Sequence, residues 1–421
     1  MAIFRVRIEK LVHRGLGLGR GPDGMVWLVP FTAPLDLVEA APTARHGHMI
    51  EGRVVRLLEE GEGRVVPKCE AFGRCGGCHL QHLSYERQLA LKVAVLQETL
   101  ARAGLEDLPR PEVIALEPWG WRRRIEMHWR DGRFGYFAQK SHEVVEVAEC
   151  PIASPRLSAL IPALREAVSR ASPGPCKVEA VLSDDASIVL VARCARPDAA
   201  RLSVALGDVP LVAGVVACGR WGAQVRGRSV VAWPTARGQD SLPRRIAVDA
   251  RGFSQANARL NVLFVEKVME LARPGPTKRF LELYAGAGNI TVPIASAGAH
   301  VTAVEVNRAA LALAEEACGD RVRGVAGEAE AVVQALVRAG ESFDCVVADP
   351  PRTGLGHAVA EALPRLAKEV VLCSCDPATL GRDARIMSRD MKVDRLVLAD
   401  MFPETYHIES VVRLTGPGVC D

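Results

Sequence analysis

Apolar residues in the C-terminal half of the chain fall in short runs that alternate with glycine turns and small-residue stretches. One run, residues 280–283, leads into Gly286 and Gly288, and a second, residues 301–304, ends at Glu305. Such short apolar runs predict strands buried on both faces, and the small-residue stretch between them predicts a helix. The order strand, turn, helix, strand predicts a doubly wound parallel sheet, which binds ligands at the carboxyl ends of its strands.

This α/β pattern continues to the C-terminus, so we expect residues 241–421 to form one α/β domain. A helix is predicted to open at residues 253–257. Further strands are predicted at residues 345–348, 370–375, 396–399 and 408–414, the last two as an antiparallel pair.

The glycine turn predicts a nucleoside-binding site. Its glycines allow backbone to pass close to a ligand, and Glu305, about 20 residues beyond Gly286, could accept hydrogen bonds from ribose hydroxyls. Thr291 occupies the position of the third glycine of a dinucleotide fingerprint, which weakens the pyrophosphate-binding interpretation. The pattern therefore favours a nucleoside cofactor such as S-adenosylmethionine.

The N-terminal half is organised differently. Residues 1–60 predict a small closed β-barrel of the OB type, which resembles a TRAM domain, a small RNA-binding barrel; a barrel that only packs against its neighbour is the alternative. Residues 61–83 contain a group of cysteines, and residues 84–110 predict an amphipathic helix, packed on the α/β domain, with Ser84 as its N-cap. Residues 111–240 predict a β-rich central domain.

Length and charge limit the classes of protein that this chain can be. A chain of 421 residues with 49% apolar and 24% charged residues is typical of a globular protein with two or three domains. The net charge of +3 means that any nucleic-acid surface must be a local patch. No signal peptide or membrane span is evident, so we expect a cytoplasmic monomer without membrane contact.

Two groups of cysteines suggest two different chemistries. Cys69, Cys75 and Cys78 lie within ten residues and are joined by glycines, whereas Cys150 is remote and precedes a proline. Structural zinc sites normally use paired cysteines, so three plus one ligands with a following proline fit an iron–sulfur cluster better. The alternative fourth ligands are His79 and His82.

The second group lies at the end of the predicted strand 370–375. Cys373 and Cys375 share one face of this strand, but only Cys375 reaches the carboxyl end, where a thiolate can act as a nucleophile. Glu409 begins a later apolar run and could face the same pocket or be an edge-strand acid. Upstream, residues 119–124 join two tryptophans to three arginines, a composition that suits unpaired RNA but also a solvated strand edge.

Together these motifs resemble the RNA uridine-C5 methyltransferase family, which forms 5-methyluridine. The resemblance is carried by Gln255 followed by LYAGAGN, DPPRTGL, SCDPATLGRD and DMFPETYHIES, and the barrel and cysteine triplet occur in the ribosomal-RNA branch. It implies that Cys375 adds to C6 of uracil and that Glu409 removes the C5 proton after methyl transfer. Members often carry asparagine after the nucleophile, and here Asp376 could disfavour the thiolate if the two charges are close.

The resemblance also implies the cofactors and their ligands. The positions that would contact S-adenosylmethionine are Gln255, Tyr284, Gly286, Gly288, Asn289, Glu305, Glu328 and Asp349. The ligands of a 4Fe-4S cluster, structural or RNA-positioning, would be Cys69, Cys75, Cys78 and Cys150. The implied substrate is large-subunit ribosomal RNA, with the T-loop uridine of transfer RNA as the alternative.

Three other functions compete with this interpretation. An oxidoreductase would use the cluster for electron transfer, but the turn lacks the third glycine and no second redox site is evident. An RNA-binding or chaperone module would require neither Cys375 nor Glu409. A cytosine-C5 methyltransferase uses similar thiol chemistry, but the motif around Glu409 favours uracil.

Overall fold

The computed structural model describes residues 2–220, 222–238 and 243–419. Its N-terminal part is a closed barrel in the order β1-β2-β3-β5-β4. The strands are β1 (Phe4–Val12), β2 (Leu16–Arg20), β3 (Val26–Pro30), β4 (Leu37–His46) and β5 (Met49–Glu59). Alternate side chains such as Val6, Ile8 and Trp27 fill its interior, as the period of a strand requires.

Helix α1 (Tyr85–Arg102) follows the cysteine segment and begins where the sequence predicts. The Ser84 hydroxyl accepts a hydrogen bond from the Arg87 amide, which is the bond of an N-cap. Leu96 and Leu100 lie within the core of the C-terminal sheet. The buried stripe also contains two polar residues, Gln88 and Lys92, that hydrophobic periodicity does not predict.

The central region is built on a seven-stranded sheet in the order β13-β12-β11-β10-β7-β8-β9. Its elements are β7 (Arg124–Arg130), β8 (Arg133–Phe137), β9 (Val144–Val145), α2 (Pro155–Ala171), β10 (Cys176–Leu182), β11 (Ile188–Arg193), α3 (Arg196–Gly207), β12 (Val212–Gly219) and β13 (Gly222–Gly227). The two helices are additions to the β-rich region predicted from the sequence. Apolar residues of α2 at helical spacing, such as Leu157, Leu160 and Leu164, pack on the sheet.

Two elements of the predicted central domain lie elsewhere. Strand β6 (Glu112–Ile114) pairs with the C-terminal sheet, parallel to its strand at residues 397–399. Strands β14 (Val230–Arg237) and β15 (Pro243–Asp249) form a separate antiparallel hairpin. The predicted boundary at residues 240 and 241 lies between β14 and β15 in the sequence and outside the described residues.

The C-terminal sheet has eight strands in the order β18-β17-β16-β19-β20-β22-β21-β6. Its elements are α4 (Ala258–Ala272), β16 (Arg279–Leu283), α5 (Thr291–Ser296), β17 (His300–Glu305), α6 (Arg308–Cys318), β18 (Val322–Ala326), α7 (Ala329–Arg338), β19 (Cys345–Ala348), α8 (His357–Leu366), β20 (Glu369–Ser374), α9 (Pro377–Met387), β21 (Lys392–Ala399) and β22 (Glu409–Thr415). Strands β16 to β20 are parallel, whereas β22 is antiparallel to both neighbours.

Apolar cores cover both faces of this sheet, which explains why its strands are nearly continuous apolar runs. All parallel strands therefore end at the same edge, and the strand order reverses between β16 and β19, where α/β sheets bind ligands. No helix within the described part of the chain is long and apolar enough to cross a membrane.

Candidate active site

The glycine turn follows β16 at the carboxyl edge of the sheet. Tyr284, Gly286 and Gly288 all have positive φ angles, of 63°, 56° and 95°. A Cβ atom on Gly288 would lie 2.9 Å from the Cβ of Ala314 on α6, so only glycine fits there. The backbone of the turn thus faces the site in a conformation that most residues adopt only at an energetic cost.

Glu305, at the end of β17, lies beside this turn as predicted from the spacing. Its carboxylate accepts hydrogen bonds from the Gly286 amide at 3.0 Å and from the Asn307 amide at 2.8 Å. Two amide donors fix the orientation of the carboxylate, and each of its oxygens can accept a further hydrogen bond.

Asn289 is held by residues that the sequence alone did not indicate. Its side-chain amide exchanges two hydrogen bonds with that of buried Asn261 on α4, at 2.8 and 3.0 Å. Its backbone carbonyl accepts from the hydroxyl of Thr235 on the β14–β15 hairpin at 2.6 Å. These bonds fasten the turn to a helix and to the hairpin.

Two buried acids lie beneath the turn. Burial raises the pKa of Glu282 to about 8, and the negative charge of Asp349 adds to this effect. Burial likewise raises the pKa of Asp349, which follows β19, to about 6. None of the described residues forms a hydrogen bond with Glu282 Oε2. The sequence marked Asp349 as a site residue but gave no signal for Glu282 beyond an acid within an apolar run.

The other predicted cofactor positions surround the same edge of the sheet. Gln255 is buried just before α4, whereas Glu328 is exposed at the N-terminus of α7. Tyr284 is half-buried, and burial raises its pKa, with further contributions from the charges of Asp383 and Glu328.

Cys375 and Glu409 meet because of the register between β20 and β22. Ser374 pairs with Ser410 in this antiparallel ladder, so the next residue on one strand lies beside the preceding residue on the other. The Ser410 hydroxyl also donates to the Ser374 carbonyl at 3.1 Å. Cys373, by contrast, is fully buried in the apolar core.

Burial favours the protonated forms of both Cys375 and Glu409. The pKa of Cys375 is raised to about 11 by burial, with contributions from the carboxylates of Glu409 and Asp349, whereas the Arg352 guanidinium lowers it. Burial also raises the pKa of Glu409 well above its usual range, with Asp349 adding and Arg352 opposing. Arg352 is thus the cation that favours the ionised forms of both groups.

The carboxylate of Asp376 points away from the nucleophile candidate. It accepts from the Ala378 amide at 2.9 Å and from the Thr379 amide at 3.3 Å, and therefore caps α9. Its other oxygen lies 3.6 Å from Nε2 of His13, on the barrel. The charges that raise the pKa of Cys375 are those of Glu409 and Asp349, and the charge of Asp376 is not among them.

The four cysteines of the first group converge from two segments of chain. Burial raises the pKa of Cys75 to about 11 and that of Cys78 further, and in both cases Cys150 and Cys69 contribute. The Gly77 amide donates to the sulfur of Cys75 at 3.4 Å.

The two histidines considered as alternative ligands have other contacts. The ring of His82 bonds to the Thr32 carbonyl at 3.2 Å, whereas the His79 ring packs edge-on against Tyr406 with centroids 4.5 Å apart.

A single cavity of about 800 Å³ joins the cysteine group to Cys375. The barrel contributes His13 and Arg14 to its wall, and the loop before β22 contributes Tyr406 and His407. All four grouped cysteines also line it. The wall of this cavity is therefore formed by the barrel, the cysteine group and the C-terminal domain.

The arginines of residues 119–124, which the sequence left as either RNA-binding or structural, differ in their contacts. Arg123 pairs with Asp184 and Arg124 with Glu179, so both are structural. Arg122 instead lines the cavity.

This sheet order, with a glycine turn after β16 and an acid at the end of β17, defines the class of S-adenosylmethionine-dependent methyltransferases. The model of the tRNA (uracil-5-)-methyltransferase family matches residues 244–416. The chain is 33% identical to the 23S rRNA (uracil(1939)-C(5))-methyltransferase RlmD of Halomonas elongata, over 97% of this chain and 89% of the relative. It is also 33% identical to that of Thiobacillus denitrificans, over 96% and 98% of the two chains. The chain therefore belongs to the RNA uracil-C5-methyltransferase family.

A solved structure shares the fold over the whole chain. The tRNA (uracil-54, C5)-methyltransferase of Pyrococcus abyssi, in complex with S-adenosyl-L-homocysteine, is 23% identical and superposes with a TM-score of 0.75. The match covers 98% of this chain and 100% of the other, so it includes the barrel and the central region as well as the methyltransferase sheet.

Proposed function

We propose that this protein methylates C5 of a uridine in 23S ribosomal RNA, with Cys375 as nucleophile and Glu409 as base. The observation that carries the proposal is the pairing of Ser374 with Ser410, which sets a thiol and a carboxyl side by side at the ligand-binding edge of the sheet. Relatives named for 23S ribosomal RNA at about one-third identity over nearly the full chain favour that substrate over transfer RNA.

The chemistry requires both groups. C5 of uracil is a poor nucleophile until the Cys375 thiolate adds to C6, which makes C5 enolate-like. S-adenosylmethionine, when bound, supplies the methyl group. The carboxylate of Glu409 then removes the C5 proton, and the electron pair of that bond re-forms the C5–C6 double bond as the thiolate leaves.

The shifted pKa values of Cys375 and Glu409 support these roles. Burial raises the pKa of Cys375 to about 11 and that of Glu409 well above its usual range, so both groups favour the protonated form. Arg352 lowers the pKa of Cys375 and therefore stabilises the thiolate that attacks C6. Glu409 must lose its proton before the last step, and its burial makes the carboxylate a strong base.

The residues present fit S-adenosylmethionine. A Cβ atom on Gly286 would meet no other atom within 4 Å, so the backbone there is open to a ligand. The fixed carboxylate of Glu305 would accept from the ribose hydroxyls. Gln255, Tyr284, Glu328 and Asp349 would complete the contacts. Asn289 would act by fastening the turn, because its side-chain amide is engaged by Asn261.

The four grouped cysteines fit a 4Fe-4S cluster. No three His, Cys, Asp or Glu side chains of the described residues lie close enough to hold one metal ion. A four-iron cluster takes four cysteine thiolates. The charge of Cys150 contributes to the raised pKa values of Cys69, Cys75 and Cys78, so the four side chains lie near one another. An amide donating to the sulfur of Cys75 is the kind of bond that tunes such clusters. The cluster would be structural or RNA-positioning.

The remaining parts of the chain would bind the RNA. The TRAM-like barrel, residues 1–60, and the central domain both line the cavity that leads to Cys375, so an unpaired uridine must pass between them. Arg122 and Arg14, both at this cavity, provide charge for phosphates. The cysteine segment, residues 61–83, would support the floor of the cavity.

Mapping of 5-methyluridine in total RNA from a deletion strain tests the proposal. We expect loss of the modification at one position or more of 23S ribosomal RNA and its return on complementation, whereas complementation with Cys375→Ala restores nothing. Loss confined to the T-loop of transfer RNA would instead establish the alternative substrate.

A further inference from the structure

The segment that precedes Glu409 is held in place by polar residues of helix α1. This segment, residues 400–407, connects β21 to β22 and is called the 400–407 loop below. It contributes Tyr406 and His407 to the cavity wall and runs directly into Glu409. Its conformation therefore affects both the cavity beside Cys375 and the start of the strand that carries the base.

Lys92 of α1 binds the beginning of the loop. Its ammonium donates to Asp400 Oδ1 at 2.5 Å and to the Phe402 carbonyl at 3.1 Å. The Tyr85 hydroxyl donates to the other oxygen of Asp400 at 2.8 Å. Lys92 is 3% exposed and Asp400 is fully buried, so this ion pair is shielded from solvent.

Gln88, one turn earlier, binds the middle of the loop. Its side-chain amide donates to the Glu404 carboxylate at 3.0 Å and accepts from the Glu404 backbone amide at 3.1 Å. Glu404 has a φ of 65°, which a glutamate rarely adopts without support. The Glu404 carbonyl also accepts from the amides of His79 and Leu80, next to the cysteine triplet.

The packing of α1 on the sheet does not explain why Gln88 and Lys92 are polar. Burial of a glutamine and a lysine in a core-facing stripe costs free energy unless their hydrogen bonds are satisfied. Three of the polar partners, Asp400, Phe402 and Glu404, lie in the one loop that joins the cavity wall to the base.

We propose that Gln88 and Lys92 are positioning residues for the reaction. They hold the 400–407 loop so that Glu409 faces C5 when the proton must be removed. This inference rests on the proposed role of Glu409 as base. It makes helix α1, which has no residue in the catalytic pair, necessary for the final step of the reaction.

Gln88→Met tests the inference, because methionine has a similar length and forms none of the hydrogen bonds of Gln88, which also donates to the Leu83 carbonyl at 3.0 Å. We expect steady-state turnover to fall by about tenfold or more, while methyl transfer in a single turnover falls far less. The methylated, covalent protein–RNA adduct should therefore accumulate and survive a denaturing gel. A purely structural role would slow all steps together and leave no adduct.

Leu96→Val is the matched control, since Leu96 is fully buried on the same helix, one turn beyond Lys92, in an apolar environment. It should lower the melting temperature without accumulation of adduct. If Gln88→Met does not fold, Tyr85→Phe removes only one hydrogen bond to Asp400 from a half-buried side chain. It should show a smaller accumulation of the same adduct.

Glu409→Gln distinguishes a failure of the positioning inference from a failure of the proposed function. If Glu409→Gln accumulates adduct while folded Gln88→Met, or Tyr85→Phe in its place, turns over without adduct, the positioning inference is wrong and the proposed function stands. If Glu409→Gln turns over normally, the assignment of the base is wrong and the inference falls with it.

Discussion

One cavity is lined by Cys375 and by the group of four other cysteines, and the fold positions them by different means. Cys375 extends a central strand whose register with β22 sets its neighbour, Glu409. Cys69, Cys75 and Cys78 lie in a segment with no helix or regular strand, and Cys150 arrives from a different segment. The sheet fixes the position of Cys375, whereas the four grouped cysteines depend on tertiary contacts or on a bound group to hold them. Pairing between strands can place two reacting side chains accurately. A bound group can hold together cysteines that come from separate segments of the chain.

The largest effect should come from the strand end. Cys375→Ala cannot add to C6, so neither 5-methyluridine nor a covalent adduct should form, and both are measured with radiolabelled S-adenosylmethionine and a denaturing gel. Cys373→Ala, two residues earlier, should keep the chemistry because Cys373 lies in the core and faces no ligand. Adduct formation by Cys375→Ala, together with its loss in Cys373→Ala, would show that the nucleophile was misassigned.

Cys78→Ser tests the other group. Anaerobically purified wild-type protein should be brown and contain about four irons and four sulfides per chain, as expected for one cubane held by four cysteines. Cys78→Ser should lose the iron and lower both thermal stability and RNA affinity, without creating a new product. Cys318→Ser is the control, since Cys318 is also half-buried but lies far along the chain in α6. Colourless wild-type protein with one zinc would contradict the cluster.

The same contrast explains what the sequence could predict. Apolar runs located β16, β17, β19 and β20, and the end of the last run distinguished Cys375 from Cys373, because both depend on local pattern. Helix α2 also has a local signal, the helical spacing of Leu157, Leu160 and Leu164. We did not predict it, because strand-like apolar runs surround it on both sides.

Other features had no local signal. Gln88 and Lys92 are polar, so periodicity assigns them to the solvent side of α1, whereas their partners are more than 300 residues away. The pairing of β6 with β21 and the bond between Asn261 and Asn289 likewise arise only when distant segments meet.

Glu305→Ala should affect the cofactor and not the thiol. Loss of a charged acceptor for the ribose hydroxyls should cost on the order of 1.5–3 kcal/mol of S-adenosylmethionine affinity, measured by calorimetry. Glu305→Gln still offers an acceptor to the Gly286 amide and should cost less, which separates ribose binding from support of the turn. Unchanged affinity in Glu305→Ala would remove Glu305 from the site.

The pH dependence of adduct formation reports the ionisation of the strand-end thiol. The pKa of Cys375 is raised to about 11, so the thiol is mainly protonated at neutral pH and loses its proton as pH rises. Trapping on RNA that contains 5-fluorouridine should therefore accelerate between pH 6 and pH 8, by up to about tenfold per pH unit, because only the thiolate attacks. A rate that falls with rising pH would contradict this account of the nucleophile.

The smallest effect should come from Asp376, which lies next to Cys375 in sequence but faces the barrel. Asparagine caps helices as well as aspartate does, so Asp376→Asn should retain the bonds to the Ala378 and Thr379 amides. It removes only the charge opposite His13, a partly exposed contact at 3.6 Å worth little in solvent. We expect the melting temperature and the trapping rate to remain close to those of the wild type. Asp376→Ala, by contrast, removes the cap and should cost about 1 kcal/mol of stability. A large increase in trapping rate in Asp376→Asn would mean that this carboxylate does suppress the thiolate, and that capping does not isolate it from the nucleophile.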